Sequence, residues 1–207
     1  MNRLARLSLI AALMSGFLVF LLTSHLERRA SSPEVLIPVE GYDPRDILLG
    51  HYANIRTPLN RLDAYALEGD DGFAEGDRIW VTLETGPDGT ARPVALHTTH
   101  PGSGLVAQGR VRQVYEASRP LTRETDPETG ETRTVREEPE ELWIHASFNI
   151  ERYYASRERA IALQNRLRLR DVTGDIGVNL ILAIPADGAL LIKGFEVDGE
   201  RRLDTVW

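Results

Sequence analysis

The stretch Ile79–Thr99, IWVTLETGPDGTARPVALHTT, decides the architecture. Its first run, Ile79 to Glu84, is rich in β-branched and aromatic residues, and its second, Pro93 to Thr99, follows across Gly86-Pro87-Asp88-Gly89. An Asp-Gly pair between two such runs is a hairpin signal, because glycine adopts positive φ with no Cβ penalty. The design recurs near the carboxyl end, where Val178–Ile184 leads through Pro185-Ala186-Asp187-Gly188 into Ala189–Val197. Shared turn chemistry alone accounts for the likeness of the two hairpins more simply than duplication does.

Working outward, Leu105–Ala117 and Leu142–Glu151 read as a third strand pair. The 119–141 segment between them holds 8 acids and 4 arginines with few apolar residues, too polar to bury. It reads as a solvated hairpin or loop insertion with its turn at Thr125–Gly130. One amphipathic helix is expected after Ser156. Glu158 suits its first turn, Ala160, Leu163 and Leu167 mark one face, and Arg166, Arg168 and Arg170 suit its end. A short helical turn is expected at Pro44–Leu49, capped by Asp43 and stopped by Gly50. The sum is an α+β fold, mainly antiparallel β.

Ahead of this domain lies Leu7–Ser24, LSLIAALMSGFLVFLLTS, 18 residues without a charge. A membrane-spanning helix needs about 20 mainly apolar residues, with roughly 17 to 25 tolerated. A cleaved signal peptide has an apolar region of about 7–15 residues ending in a small-x-small site. Here the run exits into His25-Leu26-Glu27-Arg28-Arg29, so a retained signal anchor is the expectation. The divisions are then a cytoplasmic tail at 1–6, a transmembrane helix at 7–24, a linker at 25–34, and one β-rich extracytoplasmic domain at 35–207. Arginines flank the helix on both sides, so the positive-inside rule is nearly balanced. The 31–207 segment carries 20 basic and 30 acidic residues, and this tips the expectation toward a domain outside the cytoplasm.

Composition bounds the function. The chain is 42% hydrophobic and 27% charged, the balance of a folded protein. It has no cysteine, hence no disulfide framework, thiolate metal site or cysteine nucleophile. A net charge of −7 argues against a nucleic-acid partner, whose recognition rests on neutralising phosphates.

Candidate chemistry is sparse. His97 and His100 form H-x-x-H, with His51 and His145 as further donors, yet strand positions three apart point to opposite faces. They read as solvated strand-end residues, and no metal or cofactor is expected. Ser103 and Lys193 are a conceivable Ser/Lys dyad, but Ser103 sits in a glycine loop and Lys193 reads as an outward residue on an alternating strand. Gly102-Ser103-Gly104 lacks the lysine of a phosphate loop. No catalytic residue is assigned, and a non-enzyme is the better reading.

The stretch Tyr42–Thr57, YDPRDILLGHYANIRT, resembles the signature of the GDYXXLXY family of bacterial membrane-anchored proteins. Asp43, Pro44, Arg45 and Asp46 match its opening turn, and Gly50, Tyr52 and Ile55 keep its glycine, first tyrosine and aliphatic position. His51 stands for the family aspartate and Thr57 for the final tyrosine. Phe148–Tyr154, FNIERYY, and the Ala186–Gly199 region carry further likeness. The resemblance implies a bilayer anchor through residues 7–24, a β-rich domain outside the cytoplasmic (inner) membrane facing the periplasm or exterior, and no known activity. The motif Asp43, Pro44, Arg45, Asp46, Gly50, His51, Tyr52 and Ile55 reads as structure, with a binding groove as its functional alternative. The expected function is a non-enzymatic interaction or accessory domain for another envelope or membrane protein. The alternative is a small-ligand-binding or hydrolytic domain with a site near Gly50–Ile55.

Overall fold

The computed structural model describes residues 3–39, 52–117, 122–125, 132–135, 141–154 and 177–204. It opens with helix α1, Arg3–Ser31, whose Leu7–Leu22 face exposes its large apolar side chains on all sides. A helix apolar all round and packed on nothing is built for lipid. Thr23 and Ser24 turn their hydroxyls back onto the carbonyls of Val19, Phe20 and Leu21, so they add no unpaired polar group to the apolar span.

The helix does not stop where the apolar run ends. Residues 25–31, expected as part of a linker, continue it as far as Ser31. Glu27, Arg28 and Ala30 are good helix formers, and Arg28 and Arg29 place positive charge on the carbonyl end of the dipole. Ser31 Oγ and Ser32 Oγ then donate to the carbonyls of Glu27 at 2.8 Å and Arg28 at 2.6 Å. Pro33 follows, and the residue before a proline is pushed out of the helical region.

Past the helix the chain is almost wholly strand. A four-stranded antiparallel sheet has the order β1 (Glu34–Pro38), β12 (Val178–Ala183), β13 (Leu191–Val197), β14 (Glu200–Leu203). A six-stranded sheet has the order β3 (Arg61–Asp63), β10 (Glu141–Ser147), β7 (Leu105–Ala117), β5 (Arg78–Thr85), β6 (Ala91–His97), β4 (Glu68–Gly69). It is antiparallel except for the two-residue β4–β6 contact. Two ribbons complete the described part, β2 (Tyr52–Asn54) with β11 (Arg152–Tyr154), and β8 (Thr122–Thr125) with β9 (Thr132–Val135). All three expected strand pairings form, and β8–β9 lies within the expected 119–141 insertion. The expected helix after Ser156 and the turn at Pro44–Leu49 lie outside the described residues.

The two hairpins share turn geometry while belonging to different sheets. Gly89 and Gly188 close them with φ of 78° and 72°. Asp88 and Asp187 each accept a hydrogen bond from the amide two residues on, Thr90 and Ala189. An aspartate folding back on its own turn is the local device that makes Asp-Gly a turn signal.

Both sheets contribute to one contiguous core. Alternation sends Leu142, Ile144 and Ala146 of β10 and Ile79, Val81 and Leu83 of β5 into it, where they join Val35, Ile37, Leu180, Leu182 and Phe195 of the four-stranded sheet. Burying a side chain of this size contributes about 1.5–3 kcal/mol, so the shared core dominates the stability of the domain. The sheets are also stitched at the β12–β13 turn, where Gln108 N donates to Gly188 O at 2.8 Å. Gly188 has to be glycine, because a Cβ there would lie 2.9 Å from the Trp80 ring and 3.0 Å from the β7 backbone.

In β7, Ala107, Gly109 and Val111 face the core, but the pairing to β10 then skips the next residue, Arg112. This bulge reverses the alternation, so Val114 faces inward. Gly109 makes room for Phe148, which is fully buried, and a Cβ at Gly109 would lie 2.6 Å from that ring. Gly109→Ala is therefore expected to destabilise the detergent-solubilised protein by about 1–3 kcal/mol in urea unfolding. Combining it with Phe148→Leu should cost less than the sum of the two single changes, because both act on one contact. Additive costs would mean the contact is slack.

Candidate functional site

The densest polar architecture in the described residues is where the helix meets the four-stranded sheet. The β12–β13 register pairs Ile181 with Gly194 and then Leu182 with Ile192, so Lys193 is a bulged extra residue. A bulge breaks the ladder locally and turns main-chain groups toward new partners. The Arg29 guanidinium meets those groups: Nε donates to Ile192 O at 3.1 Å, and Nη2 donates to Lys193 O at 3.0 Å and Asp204 O at 3.1 Å. Only a planar, multi-donor head spans three carbonyls in this way. A hydrogen bond to a charged group contributes roughly 1.5–3 kcal/mol when buried, less at this half-buried site. Arg28 pairs with Asp187 beside it, but both side chains are about half exposed, so that pair adds at most about 1 kcal/mol. Ile184 N donates to Pro33 O at 2.9 Å, carrying the contact straight into β1.

Glu34, first residue of β1, completes the junction. Its carboxylate takes Lys193 Nζ at 2.9 Å and the Arg201 guanidinium, tying β1, β13 and β14. Lys193 is thus not simply the outward residue that the alternation implied. Its bulge turns it to Glu34.

Of the motif expected near Gly50, Asp43, Pro44, Arg45, Asp46, Gly50 and His51 lie outside the described residues. Tyr52 opens the β2 ribbon and is in register with Tyr154, so the two family-like segments pair with each other. Ile55 N donates to Glu151 O at 2.8 Å, and the Ile55 side chain is buried in the core. Thr57, buried, donates through its N–H to Asn60 Oδ1 at 2.9 Å. Asn60 Nδ2 in turn donates to Glu151 Oε1 at 2.9 Å, and the same oxygen takes Phe148 N at 2.6 Å. Thr57, Asn60 and Glu151 are thus partnered within the fold.

Three of the histidines are also engaged. His97 Nε2 lies 3.0 Å from Thr82 Oγ1. His100 Nδ1 accepts from Gly102 N at 2.8 Å, with its ring edge-on to Trp80 at 4.7 Å between centroids. His145 lies 3.3 Å from Tyr115 Oη.

A concavity of about 230 Å³ lies among β5, β7, the Phe148–Asn149 segment and Ala189–Leu190. Arg78, Arg110 and Arg112 line it together with Gln108 and Ser147. Sequence reasoning missed it, although Arg110 and Arg112 alternate along a strand and share a face by that spacing alone.

These features define a class, a protein whose apolar helix, long enough to cross a membrane, runs directly into a mainly antiparallel β domain. Residues 14–195 match the model of the GDYXXLXY protein family, and the chain belongs to that family. No curated protein and no solved structure matches it.

Glu34 makes the junction pH-sensitive. Burial pushes its carboxyl up, but hydrogen bonds and charges from Lys193 and Arg201 outweigh that and hold it below its ordinary value of 4.5. The folded value lies below the unfolded one, so the stabilisation is complete above that range and is lost as pH falls through the folded value. Glu34→Gln should cost about 1 kcal/mol at pH 7, a gap that narrows steadily below pH 4.5 in denaturation series. A gap of constant size down to pH 3 would assign the loss to packing instead.

Proposed function

We propose that this chain is a bacterial inner-membrane protein with a single span, that its β domain faces the periplasm, and that it acts without catalysis as an accessory domain for another membrane protein. The observation that carries this reading is the continuity of anchor and domain: the helix runs to Ser31, and Arg29 fastens its last turn to three carbonyls of the sheet. A domain held at a fixed height and orientation over a membrane suits docking to a neighbour embedded in the same membrane, whereas an enzyme on soluble substrates has no use for that constraint. The acidic balance of 31–207 and the family's resemblance to bacterial anchored proteins support the periplasmic side. The burial of Ile55 and the Tyr52–Tyr154 register support a structural role for the motif over a ligand site at Gly50–Ile55.

Two measurements test this. A reporter active only in the periplasm, fused after Trp207, should be active in a full-length product that fractionates with membranes. Affinity capture from mild detergent should then recover the same membrane protein from independent preparations. A silent reporter would put the domain in the cytoplasm, a shortened soluble product would remove the anchor, and capture with no reproducible partner would remove the accessory role.

A further inference from the structure

The arginine-lined concavity is arranged against its own electrostatics. Arg78 of β5 and Arg110 of β7 are direct cross-strand partners, and like charges directly opposite each other destabilise a sheet. Arg112, on the bulge, adds a third cation to the same concavity. The chain as a whole carries −7, so this concentration is no reflection of its average charge. None of the three arginines takes part in an ion pair with a carboxylate among the described residues.

Neutral acceptors hold each guanidinium instead. Arg110 Nη1 donates to Gly76 O at 2.8 Å, and Arg112 Nε donates to Ser147 Oγ at 2.8 Å. With the Gln108 amide oriented to satisfy both its ends, its oxygen accepts from Arg78 Nε at 3.0 Å and its nitrogen donates to Asp187 O at 3.1 Å. A guanidinium has five N–H donors, so one neutral bond fixes its direction and leaves donors over for a ligand. Three oriented guanidiniums around one concavity match the several oxygens of a phosphate group.

Position adds a second constraint. Gln108 touches the main chain of Asp187, and the Asp187 carboxylate pairs with Arg28 in the last turn of the anchor. Arg28 lies about 6 Å along the helix axis beyond Ser24, the end of the uncharged run, from the rise of 1.5 Å per residue. The headgroup layer is about 5–7 Å deep on each side of the hydrocarbon. Arg28 therefore lies at the level of the lipid phosphates, and the concavity is linked to it through Asp187 and Gln108.

We propose that Arg78, Arg110 and Arg112 form a binding site for a phosphate group, supplied either by the headgroup of an anionic phospholipid or by a soluble phosphate. The site itself stands on the arginine geometry, and only the lipid source rests on the anchored reading above.

The test uses the full chain in neutral detergent. Dihexanoyl phosphatidylglycerol below its micellar concentration and inorganic phosphate are titrated separately by calorimetry, at two salt concentrations. Binding of the lipid alone, or of the lipid more tightly than phosphate, assigns a headgroup site. Equal or tighter binding of phosphate assigns a soluble ligand. In either case the Arg78→Gln/Arg110→Gln variant should bind at least tenfold more weakly, with a shallower salt dependence. Arg92→Gln, on the far side of the β5–β6 hairpin turn, should bind as wild type does. The double variant should also melt no lower than wild type, since it removes a like-charge pair. If it fails to fold, Arg112→Gln alone should weaken binding at least threefold. Millimolar additions that give no binding of either probe, or binding that survives these substitutions unchanged, would overturn the proposal.

Discussion

The grip of Arg29 on three carbonyls is the contact on which the rest of the arrangement depends. The β12–β13 pairing skips Lys193, and at that bulge the carbonyls of Ile192 and Lys193 meet Arg29, with Lys193 O accepting from Asp204 N at 2.8 Å as well. A strand without that bulge would not turn this pair of carbonyls to the helix end. With it, a helix built for hydrocarbon and a sheet built for water share a junction made of main-chain acceptors, which side-chain variation on the sheet surface does not erase. Glu34 reinforces the junction by binding Lys193, the bulged residue itself.

A single turn, Pro185–Gly188, links everything else. Its Asp187 carboxylate meets Arg28 of the anchor, its Asp187 carbonyl meets Gln108, and Gly188 packs on Trp80 and bonds the β7 backbone. The anchor, both sheets and the arginine-lined concavity therefore converge on one hairpin. Displacing the helix end strains the turn that leads into Ala189 and Leu190, which wall the concavity. The coupling is local and mechanical, through contacts already made in the folded chain.

Much of this was legible in the sequence, for reasons particular to each element. The Asp-Gly turns at 88–89 and 187–188 gave away two hairpins, because positive φ and a self-bonding aspartate are local properties. Leu105–Ala117 was legible to the residue as a strand, and the apolar run at 7–24 as a span. The helix end was misread, since 25–31 is polar and polarity resembles a linker, while its helix formers and its serines bonding back to the last turn sustain the helix. The sheet partition was hidden because β1 pairs with β12 across most of the chain, a contact no local pattern specifies. The concavity was hidden for the same reason: Arg110 and Arg112 share a strand, but Arg78 reaches them only through the β5–β7 register. Within the motif, the residues at 43–51 lie outside the described part, and the pairing of Tyr52 with Tyr154 could be known only from the fold.

Arg29 joins anchor and domain into one body. The chain has no cysteine, so Leu18→Cys and Glu84→Cys place two spin labels without further change, one on the span and one on β5. Pulsed electron-spin distance measurement on the lipid-reconstituted protein should give one narrow distribution. Arg29→Ala should broaden it, and Arg29→Lys should broaden it nearly as much, because an ammonium cannot span three carbonyls. A distribution already broad with Arg29 in place, or one that stays narrow without it, would contradict the account.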